Sequence, residues 1–265
     1  MTENFEDFDT GDSDYLVNEL KHELSTEGFD CASVDLILRM ARDGEIESVG
    51  DVLGSLAAAG HPYWSGQILR MTIWPDDKTD EKRGEPNYFT ASGVLSYLID
   101  MGQTTSARNM CPHILVSQPQ GPDCYDLSFI VGNMVSANKS KQAAKLMLSL
   151  YSDESKEGQQ YRPLLPCMLG TMIDFGQPGW ASEIIKSLCV DSHTSTTPEV
   201  QPDYSTAGWC LAQTMVFGRA DWACSIVHQL RSQQPAWYHE TALINQVRAW
   251  GGDRCVQDLT SYLMQ

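Results

Sequence analysis

The 265-residue sequence contains no uninterrupted apolar run of about 18 residues, so we expect no membrane-spanning helix. Basic residues are scarce, with 18 Lys and Arg against 35 Asp and Glu, and the formal net charge is −17. Because phosphate backbones are bound by clustered cations, this imbalance disfavours a nucleic-acid partner. The acidic first residues do not resemble a secretory or organellar targeting segment, and we therefore expect a cytoplasmic protein.

Motifs that mark catalytic, nucleotide-binding or metal sites are also absent. The sequence contains no HExxH, GxSxG, GxGxxG or GxxxxGK[ST] pattern. No two of the eight cysteines are closer than thirteen residues, whereas zinc ligands usually occur in close pairs. We therefore predict a protein that is not an enzyme and has no cofactor and no metal site. The thiols are expected to be reduced and mostly buried.

The acidic residues are concentrated near the beginning of the chain. Residues 1–30 hold ten acids and one base, which accounts for −9 of the net charge. Residues 1–13 lack apolar periodicity, and we interpret them as an acidic disordered tail. Apolar residues at helical spacing predict amphipathic helices over 14–25 and 31–43. We expect residues 14–45 to cap the open end of the fold that follows.

The rest of the chain, residues 46–265, repeats one pattern with a spacing of 33 to 42 residues. Each unit consists of an apolar helical stretch, a turn residue and a second apolar helical stretch. The six turn residues are Gly60, Gly102, Asn138, Gly176, Gly218 and Gly251. Gly and Asn tolerate the left-handed conformation that ends many helices, so each unit is predicted to be a two-helix hairpin.

Spacing around the turn residues predicts which side chains are buried. Apolar residues recur seven, four and one positions before the turn, which we interpret as the core-facing stripe of the first helix. A small residue recurs five positions after the turn, and Ala143, Ala181 and Ala223 are predicted to be almost fully buried there. Six positions before the turn stand Gly54, Gly132 and Gly170. Glycine inside a helix costs about 1 kcal/mol, so either close helix approach or a flexible groove must explain it.

These units resemble the tetratricopeptide (TPR) and pentatricopeptide (PPR) repeats over residues 46–264. A Leu followed by a small residue in the first helix, as in Leu53-Gly54, resembles the first family. The segment GRADWACSIVHQL over 218–230 resembles the second family, with Ala five positions after the turn glycine and bulky residues further on. The resemblance implies an all-α, right-handed α-solenoid of about six helix-turn-helix repeats, in which the first helices line a concave groove.

Uncharged polar residues stand five positions before the turns, where the resemblance implies that they face this groove. With one aromatic residue on the same face, the candidate partner-binding set is Tyr97, Asn133, Thr171, Trp209, Gln213 and Gln246. These side chains suit a peptide better than phosphates. The leading hypothesis is a scaffold or adaptor that binds a protein segment in the groove, and the acidic tail favours a basic partner.

Two other functions remain open at this stage. The hairpin pattern is compatible with a PPR-like RNA-binding protein. The net charge is compatible with an acidic inhibitor or immunity-type protein that blocks the basic cleft of an enzyme. The charge of the groove separates the three hypotheses, because a basic groove favours RNA, a strongly acidic groove favours the inhibitor, and a mixed or neutral groove favours a peptide.

Overall fold

The computed structural model describes residues 31–73, 87–114, 124–152, 161–191, 204–233 and 238–264. These residues form an all-α structure of twelve α-helices and one short 3-10 helix, without a strand among them. The prediction of an all-α fold is therefore confirmed. The proposed tail over 1–13 and the predicted helix over 14–25 lie outside the described residues.

The helices follow the predicted hairpin pattern. They are α1 (Cys31–Arg42), α2 (Ile46–Ala58), α3 (Pro62–Ile73), α4 (Phe89–Asp100), α5 (Thr104–Ile114), α6 (Cys124–Ser136), α7 (Ser140–Tyr151), α8 (Leu165–Asp174), α9 (Pro178–Asp191), α10 (Tyr204–Val216), α11 (Ala220–Gln233) and α12 (Glu240–Leu263). Helix α1 matches the helix predicted over 31–43. Helix α12 joins two helical halves at Gly252, whose backbone is not helical.

Helices that occupy the same place in their hairpins contact each other in chain order. We call α2, α4, α6, α8, α10 and the first half of α12 the first helices, and α3, α5, α7, α9, α11 and the second half of α12 the second helices. Each first helix down to α10 contacts the second helix of its own hairpin and the first helix of the next hairpin. The second helices also contact one another in succession, from α3 to α5 and onward to α12.

The hairpin turns have the geometry that their residues predicted. Five predicted turn residues have a positive φ, and they are Gly60, Gly102, Asn138, Gly176 and Gly218. At the second of these turns, the Gly102 N–H donates to the Ile99 carbonyl at 3.2 Å and the Gln103 N–H donates to the Leu98 carbonyl at 2.7 Å. This pair of hydrogen bonds is the Schellman motif, which satisfies carbonyls at the end of the first helix.

The sixth turn was predicted one residue too early. Gly252, and not Gly251, has the positive φ, with φ 76° and ψ 178°. Gly251 is instead packed closely, since a Cβ there would lie 2.7 Å from the Cys255 Sγ. Two adjacent glycines made the position of this turn ambiguous in the sequence.

The predicted core of the second helices is confirmed. The residues five positions after the turn are buried in all six units, and Ala143, Ala181 and Ala223 have no exposed surface. The residues eight positions after the turn are buried as well, and they are Ile68, Met110, Leu146, Ile184, Ile226 and Leu259. The small and large residues of the second helices therefore alternate at the contact with neighbouring helices.

The predicted core stripe of the first helices is only partly correct. The residues seven positions before the turn are buried in the first five units, but those one position before it are exposed in all six. Four of these exposed residues are large, and they are Met101, Phe175, Phe217 and Trp250. Successive residues of an α-helix are rotated by about 100°, so the residue one position before the turn points about 120° away from the residue seven positions before it. The side chains one position before the turn therefore point out of the core.

The helical glycines lie where side chains of the next hairpin approach. A Cβ at Gly170 would lie 2.1 Å from the Trp222 ring, and a Cβ at Gly54 would lie 2.4 Å from Leu98 Cδ2. At Gly132 the corresponding contact is 3.1 Å, to a side chain of the following first helix. These three glycines therefore make room for side chains, whereas the approach of a neighbouring backbone that the sequence predicted there occurs at Gly208, where a Cβ would lie 2.8 Å from a backbone atom of Gln246.

Ion pairs connect the ends of consecutive hairpins. Asp100, two positions before one turn, accepts a 3.1 Å bond from Lys139, one position after the next turn. Asp174 occupies the same place in a later hairpin, and Arg219 lies 2.7 Å from it. Trp222 also donates to Asp174 at 3.0 Å, and the Arg219 guanidinium lies 3.9 Å from the centre of the Trp222 ring. Burial raises the pKa of Asp174, but the hydrogen bonds from Arg219 and Trp222 outweigh it, so the pKa of this carboxyl is lowered.

Replacing Ala181 with Leu should overpack the contact between α9 and its neighbours. Because Ala181 has no exposed surface, three further carbon atoms require side-chain or backbone shifts, and we expect the free energy of unfolding to fall by ~1–3 kcal/mol. Urea unfolding measures the change. Ala58→Leu, at an exposed position of α2, is the matched control and should change stability by less than ~0.5 kcal/mol. Equal effects of the two substitutions would show that the hairpin register is wrong.

Replacing Arg219 with Gln should weaken the junction between two hairpins in a pH-dependent way. At neutral pH we expect a loss of ~1 kcal/mol, because two ion pairs, with Asp174 and Asp221, and a cation–π contact are removed at a partly exposed site. The lowered pKa of Asp174 contributes stability above the ordinary carboxyl pKa of about 4, and this contribution is lost as pH falls and Asp174 is protonated.

The difference between wild type and Arg219→Gln should therefore shrink between pH 7 and pH 3 when both are unfolded in urea. Arg254→Gln is the control, since the Arg254 side chain is 93% exposed. If the loss of stability is constant across this pH range, ionised Asp174 is not the partner through which Arg219 stabilises the junction.

Candidate functional site

One face of the first helices remains open to solvent. Counted from the six predicted turn residues, with Gly251 for the last hairpin, positions nine, five and two before the turn are spaced by four and three residues, so they share one side of each helix. All eighteen of these residues are exposed or half-buried. We call this surface the first-helix face, and its residues are Asp51, Ser55 and Ala58, then Gly93, Tyr97 and Asp100, then Phe129, Asn133 and Ser136, then Cys167, Thr171 and Asp174, then Trp209, Gln213 and Val216, and finally Ala242, Gln246 and Ala249.

All six candidate partner-binding residues lie on this face. Each of them is half-buried, and they are Tyr97 on α4, Asn133 on α6, Thr171 on α8, Trp209 and Gln213 on α10, and Gln246 on α12. Five have the same register on first helices that contact each other in order, and Trp209 lies one turn before Gln213. Their role in binding a partner stays a prediction.

The donor groups of these polar side chains are largely engaged inside the protein. Tyr97 donates to Asp51 at 2.7 Å, and this hydrogen bond raises the pKa of Tyr97. The Asn133 amide nitrogen donates to the Phe129 carbonyl at 2.9 Å, and the Thr171 hydroxyl donates to the carbonyl one turn earlier at 3.1 Å. Asn133 keeps its second amide hydrogen and its carbonyl oxygen, and Tyr97 and Thr171 keep oxygen lone pairs, so this part of the face can both donate and accept hydrogen bonds.

Exposed apolar side chains are concentrated on the first helices and at their ends. Eight of the twelve large apolar side chains that are exposed in the described residues belong to the first helices or to the residue that ends them. They are Val52, Phe89, Met101, Phe129, Phe175, Val216, Phe217 and Trp250. Among the described parts of α3, α5, α7, α9 and α11, only Tyr63 is comparable. The sequence contains this signal as the apolar residue one position before each turn. The prediction that this residue is buried in the core concealed its exposure.

A shallow cleft lies on this face between α6 and α8. Its volume is about 240 Å³, and it is lined by Ser128, Phe129, Gly132, Asn133, Ser136, Thr171, Asp174 and Phe175. Phe129 and Phe175 are 54% and 49% exposed, and the Phe175 ring lies over Gly132. Phe129 also stacks on Tyr88 with ring centres 5.3 Å apart, which holds one wall in place. The cleft brings together two of the candidate residues, Asn133 and Thr171.

Charge is distributed differently on the two sets of helices. The described residues contain 14 acids and 13 bases, so the segments outside them carry almost all of the net charge of −17. The first helices hold six acids, and their one base is Arg248. The second helices from α3 to α11 hold six bases and three acids. The first helices are therefore the more acidic set, and Asp51, Asp100 and Asp174 are the acids on the first-helix face, even though the described residues as a whole are nearly neutral.

Several cysteines are buried in the core, as expected. Burial raises the pKa of the Cys111 thiol to about 12 and also raises the pKa of Cys210, so both thiols are protonated at neutral pH. In the described part of the chain, His, Cys, Asp and Glu form no group of three or more that could hold a metal ion. No helix in the same residues is long and apolar enough to cross a membrane.

The features of the candidate site are therefore inferred from the residues of this chain and not from a related protein. The first-helix face combines exposed apolar side chains, hydrogen-bonding groups and an excess of acids. The similarity to TPR and PPR repeats remains a resemblance of pattern. No protein-family model matches the chain, and a search of curated proteins finds no match.

Proposed function

We propose that the protein is a non-enzymatic helical-repeat scaffold whose first-helix face binds a segment of another protein. The observation that carries this proposal is that eight of the twelve exposed large apolar side chains in the described residues belong to the first helices or to the residues that end them, with Phe129 and Val216 on the first-helix face itself. Single exposed apolar residues are ordinary on a protein surface, but a contiguous set marks an interaction site. Aromatic residues such as Phe217 and Trp250 are the types that anchor protein interfaces.

The proposed architecture is a right-handed solenoid of six TPR/PPR-like hairpins, in which the first-helix face is concave and residues 14–45 cap one end. Support comes from the two rows of helices that contact in chain order. Further support comes from the five predicted turns with left-handed residues and from Gly252 as the sixth. A solenoid presents a continuous face to its partner, and such a face can hold an extended or helical segment.

The polar residues of the face also favour a peptide. Asn133, Thr171 and Gln213 are uncharged, and amide or hydroxyl groups can accept hydrogen bonds from the N–H groups of a peptide backbone. They occupy the same register on consecutive helices, so a bound segment would meet one such group on each helix. This arrangement supports binding along the stack rather than at one isolated point.

The charge of the face argues against RNA as the partner. Nucleic-acid binding needs several cations near the phosphates, and Arg248 is the one base on the first helices. The excess of acids leaves some support for an inhibitor of a basic enzyme cleft. However, Asp100 and Asp174 already pair with Lys139 and Arg219, which leaves a mixed rather than a strongly acidic face. Mixed charge and apolar side chains favour the scaffold.

Site-specific photo-crosslinking in cells tests the proposal. A benzophenone amino acid in place of Gln213 should crosslink the chain to a protein partner, because this position faces the proposed groove. The same amino acid in place of His228, which is exposed on the second helix α11, is the control and should not give that product. Adding Phe217→Ala and Trp250→Ala to the Gln213 probe should reduce the crosslink at least tenfold.

RNA binding provides the opposing outcome. A filter-binding titration should detect no sub-micromolar affinity for RNA. Tight RNA binding that weakens steeply with salt, and that is abolished by neutralising cations near the face, would replace the scaffold hypothesis with the RNA-binding one.

A further inference from the structure

The second helices of the first three hairpins carry bases and no acids. Helices α3, α5 and α7 contact one another in order, and none of the three contains Asp or Glu. We call their four bases the outer patch, which consists of Arg70 on α3, Arg108 on α5, and Lys141 and Lys145 on α7. Both lysines are exposed, and both arginines are half-buried. This part of the molecule therefore has the opposite charge to the first helices.

The four bases lie on one side of their helices. Counted from the predicted turns, they stand three, six, seven and ten positions into the second helix. At about 100° per residue, these positions fall within an arc of about 100°. Positions five and eight after the turn, which are buried in these helices, are centred about 180° from the middle of that arc. The outer patch is therefore on the side opposite the core.

Acids of neighbouring first helices offset only part of this charge. Asp100, which also interacts with Lys145, accepts a hydrogen bond from Lys139 at 3.1 Å. Asp126 lies near Arg70, where burial lowers the pKa of the guanidinium and Asp126 acts against that effect. With Lys139 included, five bases face two acids, which leaves an excess of three positive charges among these residues. A strongly acidic segment is the complementary ligand for such a surface.

Residues 1–30 of the chain have the charge and the length to cover the outer patch. They hold ten acids and one base, which is more than half of the net charge of −17. They lead directly into α1, which begins at Cys31 and contacts α3. Three neighbouring helices at the usual spacing extend over about 20 Å. Thirty residues can span up to about 100 Å, so the segment is long enough to reach all three helices.

We propose that residues 1–30 bind the outer patch of their own molecule, with several of their carboxylates close to Lys141, Lys145 and Arg108. The contact involves the second helices, so it does not depend on the function proposed for the first-helix face. Phosphate-rich ligands bind through clustered cations, and an occupied patch is not accessible to them. The acidic segment therefore acts as an intramolecular competitor of other polyanions.

Zero-length crosslinking of the full chain tests this contact. A water-soluble carbodiimide joins a lysine amine to a carboxylate that touches it, and mass spectrometry identifies the joined peptides. We expect Lys141 or Lys145 to be joined to acids of residues 1–30, and 0.5 M salt should reduce the yield at least threefold. Coupling of Lys139 to Asp100, which lie 3.1 Å apart, is the internal control. If this control pair couples and neither lysine is joined to residues 1–30, the proposal is wrong.

Neutralising the outer patch should make the segment more accessible to a protease. In the full chain, Lys141→Gln with Lys145→Gln should raise the rate at which a glutamate-specific protease cleaves within residues 1–30 at least threefold at low salt. Lys186→Gln with Arg254→Gln is the charge-matched control, because Lys186 pairs with Glu183 and the Arg254 side chain is 93% exposed on the last helix. Circular dichroism melting verifies that both variants fold. Equal cleavage rates in the two variants would overturn the inference.

Two further results would contradict the proposal. Crosslinks between labelled and unlabelled chains, in an equal mixture of the two isotopic forms, would show that residues 1–30 bind a second copy instead. Coupling of residues 1–30 chiefly to Lys186 would place the segment on a later hairpin. Neither result bears on the scaffold proposal, which is tested separately by the crosslink from Gln213.

Discussion

The packing of each hairpin against the next depends on small residues that leave room for large ones. Gly170 accommodates the Trp222 ring, and Gly54 accommodates Leu98, each from the following hairpin. A two-helix hairpin cannot bury its own apolar surface, so these contacts between hairpins provide the core. The cost of glycine in a helix, about 1 kcal/mol, is offset by the burial of a larger side chain at the junction.

The packing of each first helix against the neighbouring hairpins leaves one face of that helix uncovered. Their buried positions, such as Leu95 and Leu98, point toward the neighbouring helices, and side chains on the opposite side have no helix to pack against. That side nevertheless carries Phe129, Phe175 and Trp250, although polar residues there would satisfy solvation equally well. Phe129 stacks on Tyr88 and Phe175 packs over Gly132, so these two rings contribute to packing between hairpins while about half of each remains exposed to a partner.

The sequence predicted the parts of the fold that local chemistry determines. Asn138 was identified as a turn residue because few residues other than glycine tolerate a positive φ, and its φ is 60°. Ala143 and Ala181 were placed in the core because five hairpins share their register. The turn at Gly252 was missed by one position, since either of two adjacent glycines can adopt a positive φ and the repeat spacing does not distinguish them.

The candidate site was harder to predict, because a helical period does not distinguish an exposed apolar residue from a buried one at the end of a helix. Phe175 and Phe217 match the apolar spacing of the first helix, but six residues do not make a whole number of helical turns, so these side chains point toward solvent. Likewise, the sequence could not show that almost all of the net charge lies outside the residues that the structure describes. Only the packing of α6 beside α8 reveals that Phe129 and Phe175 form two walls of one cleft.

The cleft is also coupled to the junction that follows it. Asp174 lines the cleft and is held by Arg219 and Trp222 of the next hairpin, whose indole ring covers Gly170. One wall of the candidate site is thus fixed by a contact that also stabilises the stack. A surface held in this way loses little conformational freedom when it binds, which favours affinity for the same contact area. The packing constraint of the repeats therefore extends to the candidate site, because the side chains that join hairpins also position the cleft.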